Sequence, residues 1–106
     1  DPKAALFSVL NYPNPFTDKT VFRFNHNLVD QPLRAVIRII NTAGREVTRI
    51  AHDFESPSFI DNTIEWDGTD GQGIPIPGGL YVYEVQLTAK TTGETVEAYS
   101  KLVYLK

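Results

Sequence analysis

Apolar and polar side chains alternate with a period of two along most of this 106-residue chain, and glycine, proline or asparagine cuts the alternation after about every ten residues. No stretch sustains a 3.6-residue period. Strands that short, each with one apolar face, bury that face only by packing sheet against sheet. The residue types agree: 27 residues are Val, Ile or Thr, and the aromatics are 6 Phe, 5 Tyr and 1 Trp, all side chains that fit a pleated surface. The expected class is all-β, a two-layer antiparallel sandwich of about seven strands. A small open barrel is the alternative. The length suits one domain over residues 1–106 and excludes a doubly wound sheet or a TIM barrel, which need more chain.

Along the chain, residues 6–10 read as a first strand and the segment 11–16, with two prolines and two asparagines, as a rigid irregular corner that delivers Phe16 inward. A second strand over 20–24 presents Phe22 and Phe24 on one face. Residues 33–40 alternate most cleanly and read as a central strand with Leu33, Ala35, Ile37 and Ile39 inward. Residues 41–45 are expected to form a turn in which Gly44 can take positive φ at no steric cost, so that 46–50 can return antiparallel. A loop is expected over 51–57 and a strand over 58–66. Residues 67–79, with five glycines and two prolines, make a punctuated connection. Period two resumes over 80–88 with Tyr81, Tyr83, Val85 and Leu87 inward, residues 90–94 turn, and 95–105 form the last strand. The predicted core draws on Phe22, Phe24, Ile37, Ile39, Trp66, Tyr81, Tyr83 and Val85. Local hairpins combined with a long crossover suit a Greek key.

Charge and composition exclude several functions. Ten Lys plus Arg against 13 Asp plus Glu give a net charge of −3 with no run of like charges, so no nucleic-acid footprint is present. The chain has no cysteine, hence no disulfide framework and no thiolate metal site. Its longest apolar stretches fall far short of the roughly 20 residues of a transmembrane helix. The chain contains no methionine and starts at Asp1-Pro2. It is therefore expected to be part of a longer chain, with any targeting leader upstream.

Nothing in the sequence assembles an active site. His26 and His52 fall in expected loops, Ser8, Ser56, Ser58 and Ser100 lack a strand-to-helix elbow, and no GxSxG segment occurs. Asp61 with Glu65, and Asp67 with Asp70, sit beside turns, where carboxylates accept backbone hydrogen bonds. Residues 67–73 alternate oxygen ligands with glycines as calcium loops do, but two carboxylates and this spacing suit a capped turn better. No cofactor and no metal are expected. Trp66 is read as a core plug at a strand end.

Three blocks together carry a resemblance: Tyr12-Pro13-Asn14-Pro15-Phe16; the segment from Asn41 through Gly44 to Val47; and the long block Trp66-Asp67-Gly68-Thr69-Asp70-Gly71-Gln72-Gly73 running on through Gly78-Gly79 to Tyr81 and Tyr83. They resemble the immunoglobulin-like domain of flagellar hook-capping proteins and the related C-terminal domains of type IX secretion proteins. The match runs from about Tyr12 to Lys106, with Gly78-Gly79 standing where the pattern usually has one glycine. The resemblance implies an immunoglobulin-like sandwich at the C-terminal end of a secreted or surface bacterial protein, placed at the outer membrane, on the cell surface or outside the cell. In that family such a domain is a non-catalytic address label. Its partners are the outer-membrane translocation or attachment machinery and the rest of its own chain. Machinery proteins, the system's cysteine-peptidase sortase included, keep such a domain, and the ending Lys101-Leu102-Val103-Tyr104-Leu105-Lys106 is similar to their terminal strand.

On that reading recognition falls on the last two strands, at Gly93, Lys101, Val103 and Lys106, with an edge strand available for strand addition. Tyr12, Pro13, Asn14, Pro15, Phe16, Gly44, Trp66, Asp67, Gly68, Asp70, Gly73, Gly79 and Tyr81 are the motif positions with a structural role. Two other classes stand beside it: a spacer that positions an upstream catalytic domain, and a carbohydrate-binding module that uses Tyr99 or Tyr104.

Overall fold

A computed structural model describes residues 6–26, 31–56 and 60–105 of the chain. Seven strands follow one another: β1 (Leu6–Tyr12), β2 (Thr20–His26), β3 (Gln31–Ile40), β4 (Glu46–Ser56), β5 (Ile60–Trp66), β6 (Gly79–Ala89) and β7 (Thr95–Tyr104). They form a three-stranded sheet in the order β1-β2-β5 and a four-stranded sheet in the order β4-β3-β6-β7, and every pairing between strands is antiparallel. β3–β4 and β6–β7 are hairpins, while β2 pairs with β5 and β3 with β6 across longer connections. This is the Greek-key arrangement of an immunoglobulin-like sandwich.

The inner faces follow the alternation. Phe22, Phe24, Ile37, Ile39, Trp66, Tyr81, Tyr83 and Val85 are all buried, joined by Leu33, Ala35, Leu87, Leu102 and Tyr104. Phe22 meets the edge of Tyr83 at 4.9 Å between ring centroids, tying the two sheets together at mid-core. Gly44 adopts φ +81, and the Asn41 side-chain oxygen accepts from the N–H groups of Ala43 and Arg45, which closes the β3–β4 turn. At the entry to β6 the Tyr81 hydroxyl donates to the carbonyl of Pro77. A tyrosine there, bonded to backbone a few residues upstream, is the tyrosine corner of immunoglobulin-like folds.

Three expectations about extent are corrected. Residues 51–56 continue β4 instead of forming a loop, because β3 begins at Gln31 and offers ladder partners as far as Ser56. The polar run hides this strand, since β4 is the edge of its sheet and Ala51, His52 and Asp53 are all exposed. β1 likewise runs on through Asn11 and Tyr12, which pair with Phe22 and Val21, and β2 runs on to His26. Pro57, Ser58 and Lys106 lie outside the described residues, as do the side chains of Ser8, His26, Ser56 and Asp61.

The Tyr83 hydroxyl is fully buried and, among the described residues, has no partner in hydrogen-bonding geometry. Burial pushes its pKa up, and Ser100, directly opposite on β7, only moderates that shift. An orphaned hydroxyl carries its desolvation penalty without return. Tyr83→Phe is therefore expected to leave stability unchanged or raise it by about 1 kcal/mol, read as a higher urea midpoint at constant slope.

Candidate functional site: the clasp on the last strand

Two of the three motif blocks, the first and the third, far apart in sequence, converge on the end of β7, while the middle one closes the β3–β4 turn. Within 11–16 both the Tyr12–Pro13 and Asn14–Pro15 peptide bonds are cis. The chain leaves the three-stranded sheet at Tyr12 and crosses to lie parallel to β7, where Phe16 bridges to Tyr104. The Phe16 N–H donates to the Val103 carbonyl at 3.0 Å, and the Leu105 N–H donates to the Phe16 carbonyl at 2.8 Å. One rung earlier the Asn14 carboxamide takes the place of a peptide unit. Its oxygen accepts from the Val103 N–H at 3.0 Å and its nitrogen donates to the Lys101 carbonyl at 3.0 Å. The same nitrogen reaches the side-chain oxygen of Asn11 at 3.1 Å. Buried Asn11 in turn donates to the Thr20 hydroxyl, and that hydroxyl donates to the Pro13 carbonyl at 2.9 Å. The outward backbone of β7 from the Lys101 carbonyl to the Leu105 N–H is thus closed by the chain itself.

A side-chain clasp lies under this backbone one. Phe16 stacks on Tyr104 at 4.8 Å and tilts against Trp66 at 5.6 Å, and Trp66 faces Tyr104 at 6.4 Å. The Trp66 indole N–H donates to the Thr69 carbonyl at 2.8 Å, so the plug is held by the turn that follows it. Gly68 closes the stack: its φ is +80, and a Cβ built there would sit 2.6 Å from Cζ of Tyr104. Only glycine meets both demands. The acidic residues of 67–73 act as turn caps. Asp67 Oδ1 accepts from the Thr69 N–H and hydroxyl, and Asp70 Oδ1 accepts from the N–H groups of Gln72 and Ile74. Among the described residues no three His, Cys, Asp or Glu side chains stand together in a way that would hold a metal ion.

The recognition candidates divide. Gly93 sits in the β6–β7 turn at φ +79. Lys101 and Val103 lie in β7 opposite Val82 and Leu80, with the Lys101 carbonyl and both Val103 backbone groups engaged by Asn14 and Phe16 and the side chains on the outer face of the four-stranded sheet. Half-exposed Leu80 stands opposite Val103, which leaves a small apolar patch one outward position along β7 from Lys101. Lys106 lies outside the described residues. Of the two aromatics considered for sugar binding, Tyr104 is buried in the clasp, because its ring covers Gly68; Tyr99 is exposed.

Sequence reading missed a rung of charge across this same outer face. Arg49, Arg38, Glu84 and Tyr99 stand side by side on β4, β3, β6 and β7. Arg38 donates to Glu84 Oε1 and to Glu46 Oε1, both at 2.7 Å, and Arg49 reaches Glu46 at 2.9 Å. Glu84 is almost wholly covered, and Arg38 supplies the opposite charge that a covered carboxylate requires. Arg49 and then Arg38 hold the Glu46 carboxyl below its usual range, whereas hydrogen bonding to Glu84 pushes Glu97 and Tyr99 up. An open cleft of about 260 Å³ lies between β4 and β5, lined by Lys19, Ile50, Glu65, Trp66 and Asp67. The Lys19–Glu65 ion pair, 3.7 Å and exposed, marks its rim.

The sandwich, the tyrosine corner and the clasp define an immunoglobulin-like module whose last strand is locked to its first. A solved structure with this fold is that of dimeric latent PorU from Porphyromonas gingivalis, which superposes with a TM-score of 0.81 at 25% sequence identity over 99% of this chain. The chain spans 10% of the length of that PorU chain, so the likeness is to one domain of a much larger protein. No protein-family model matches the chain, and no curated protein matches it in sequence.

Asn14→Ala removes both contacts to β7 and leaves the Val103 N–H and Lys101 carbonyl to water. The expected loss is about 1–3 kcal/mol in urea unfolding, with faster hydrogen exchange at Val103 than at Leu105.

Proposed function

We propose that this chain is a non-catalytic C-terminal sorting and docking domain of a type IX secretion protein, which directs or anchors that protein at the bacterial outer membrane. The observation that carries the reading is the convergence of two resembling segments on the end of β7: Asn14 and Phe16 close the strand's backbone, Trp66 and Gly68 pack on Tyr104, and Lys101, Val103 and Leu80 are left as a side-chain surface. The fold likeness to a PorU domain supports the same reading, and the narrowest form of it is the C-terminal domain of a sortase of that kind. The partner is then a protein of the translocation or attachment machinery. Recognition runs through the side chains of Lys101 and Val103, with Gly93 and Lys106 at its margins.

Deleting residues 95–106 would also remove Leu102 and Tyr104 from the core, so point changes on the outer face make the cleaner test. Lys101→Glu with Val103→Asp, placed in the full-length protein, is expected to retain it in the periplasm while the isolated domain keeps close to its wild-type urea midpoint. Normal surface delivery of the folded variant contradicts the assignment. A spacer role predicts that an unrelated sandwich substituted for the whole domain restores delivery.

A further inference from the structure

The four-stranded sheet has two edges, β4 and β7, and they differ in what they leave unpaired. In an antiparallel ladder alternate residues turn their N–H and C=O groups outward. On β7 the outward set includes Val103, whose groups go to Asn14 and Phe16, and the unbroken register makes Lys101, Tyr99 and Glu97 outward as well. The clasp stops at the Lys101 carbonyl. Upstream of it, among the described residues, no backbone partner covers Glu97 or Tyr99 on that side.

The side chains on the two edges separate them further. On β4, Arg49 is paired with Glu46, and Asp53 with Arg34 at 3.6 Å and Lys90 at 3.3 Å. On β7, exposed Lys101 and exposed Glu97 form no ion pair among the described residues, and the carboxylate of Glu84 stands close enough to Glu97 to push its pKa up. β7 therefore carries one charge of each sign without an ion-pair partner among the described residues, two residues either side of exposed Tyr99.

We propose that two copies of this chain pair through β7, antiparallel, about a two-fold axis at Tyr99, joining their four-stranded sheets into one continuous sheet. In that register Tyr99 stands opposite Tyr99 of the second copy. Glu97 stands opposite Lys101 of the second copy, and by symmetry the contact occurs twice. The two Tyr99 residues exchange two backbone hydrogen bonds, and each Lys101 N–H finds the Glu97 carbonyl across the axis. The Glu97 N–H faces the Lys101 carbonyl, whose second lone pair is free beside Asn14. The clasp ends the ladder on each side, which fixes the register and limits the pairing to a dimer's short central stretch. The Val103 and Leu80 side chains remain on the outer face. The proposal shares Lys101 with the sorting reading but is tested separately from it, since its readout is association of the 106-residue chain alone.

Sedimentation equilibrium of that chain over a wide concentration range tests it. The wild type is expected to dimerise, and Glu97→Lys and Lys101→Glu each to weaken association at least about tenfold, since each sets two like-charged pairs across the axis. The double exchange, Glu97→Lys with Lys101→Glu, restores homodimers, and an equimolar mixture of the two single variants forms a heterodimer in which every pair is again opposite in charge. Both positions are exposed, so the variants keep the fold. A wild type that stays monomeric at every concentration overturns the proposal. So does a dimer that both single changes leave intact, or a mixture that fails to associate.

Discussion

Gly68→Ala is expected to lower the unfolding free energy by about 2–5 kcal/mol, combining the strain of a non-glycine residue in the left-handed region with overpacking. The added methyl carbon would stand 2.6 Å from Cζ and 2.8 Å from the hydroxyl oxygen of Tyr104. Tyr104 cannot retreat, because Phe16 is stacked on it and Trp66 stands behind Phe16. The ring must leave the clasp or the 67–73 turn must open. Against a total of about 5–15 kcal/mol for a domain of this size, the change removes much of the stability. Urea unfolding followed by tryptophan fluorescence reads it, with Trp66 as the single reporter. A Gly68→Ala variant within about 1 kcal/mol of the wild type would show that Gly68 does not pack against Tyr104.

Phe16→Ala is expected to cost about 3–5 kcal/mol, the range for removing a fully buried aromatic ring. Phe16 is 1% exposed and makes the two shortest ring contacts of the clasp, to Tyr104 and to Trp66. Its backbone bonds to Val103 and Leu105 do not depend on the ring, so the variant separates the side-chain clasp from the backbone clasp. Phe16→Leu keeps most of the volume and should recover more than half of the loss. Equal losses for Ala and Leu would place the effect in the backbone.

The fold was legible wherever a residue's role is set by its neighbours in sequence. Alternation in 33–40 and 80–88 marks the two central strands because each has one face in the core, and Gly44 marks a turn because its φ is positive. The extension of β4 through His52 and Asp53 was not legible, since an edge strand whose outer side faces water needs no alternation. The clasp was half legible. Two prolines beside Phe16 point to a stiff corner, but the bonds from Asn14 to Lys101 and Val103 join residues 87 and 89 positions apart, and no local pattern encodes such a partner. The same holds for Arg38 and Glu84, 46 positions apart, which become neighbours only when β3 lies against β6. A proline-rich segment followed, much later, by a terminal strand with an exposed lysine is the signal a reader of related sequences would look for.

The claim on which the rest depends is that the first strand's continuation closes the outer backbone of the last. Amide hydrogen exchange in the dilute, monomeric chain addresses it residue by residue. The N–H groups of Val103 and Leu105, although they lie on the outermost strand of their sheet, are expected to be as protected as those of the core strands, while Glu97 and Tyr99 on the same edge exchange rapidly. Rapid exchange at Val103 and Leu105, matching that of Tyr99, would contradict the account.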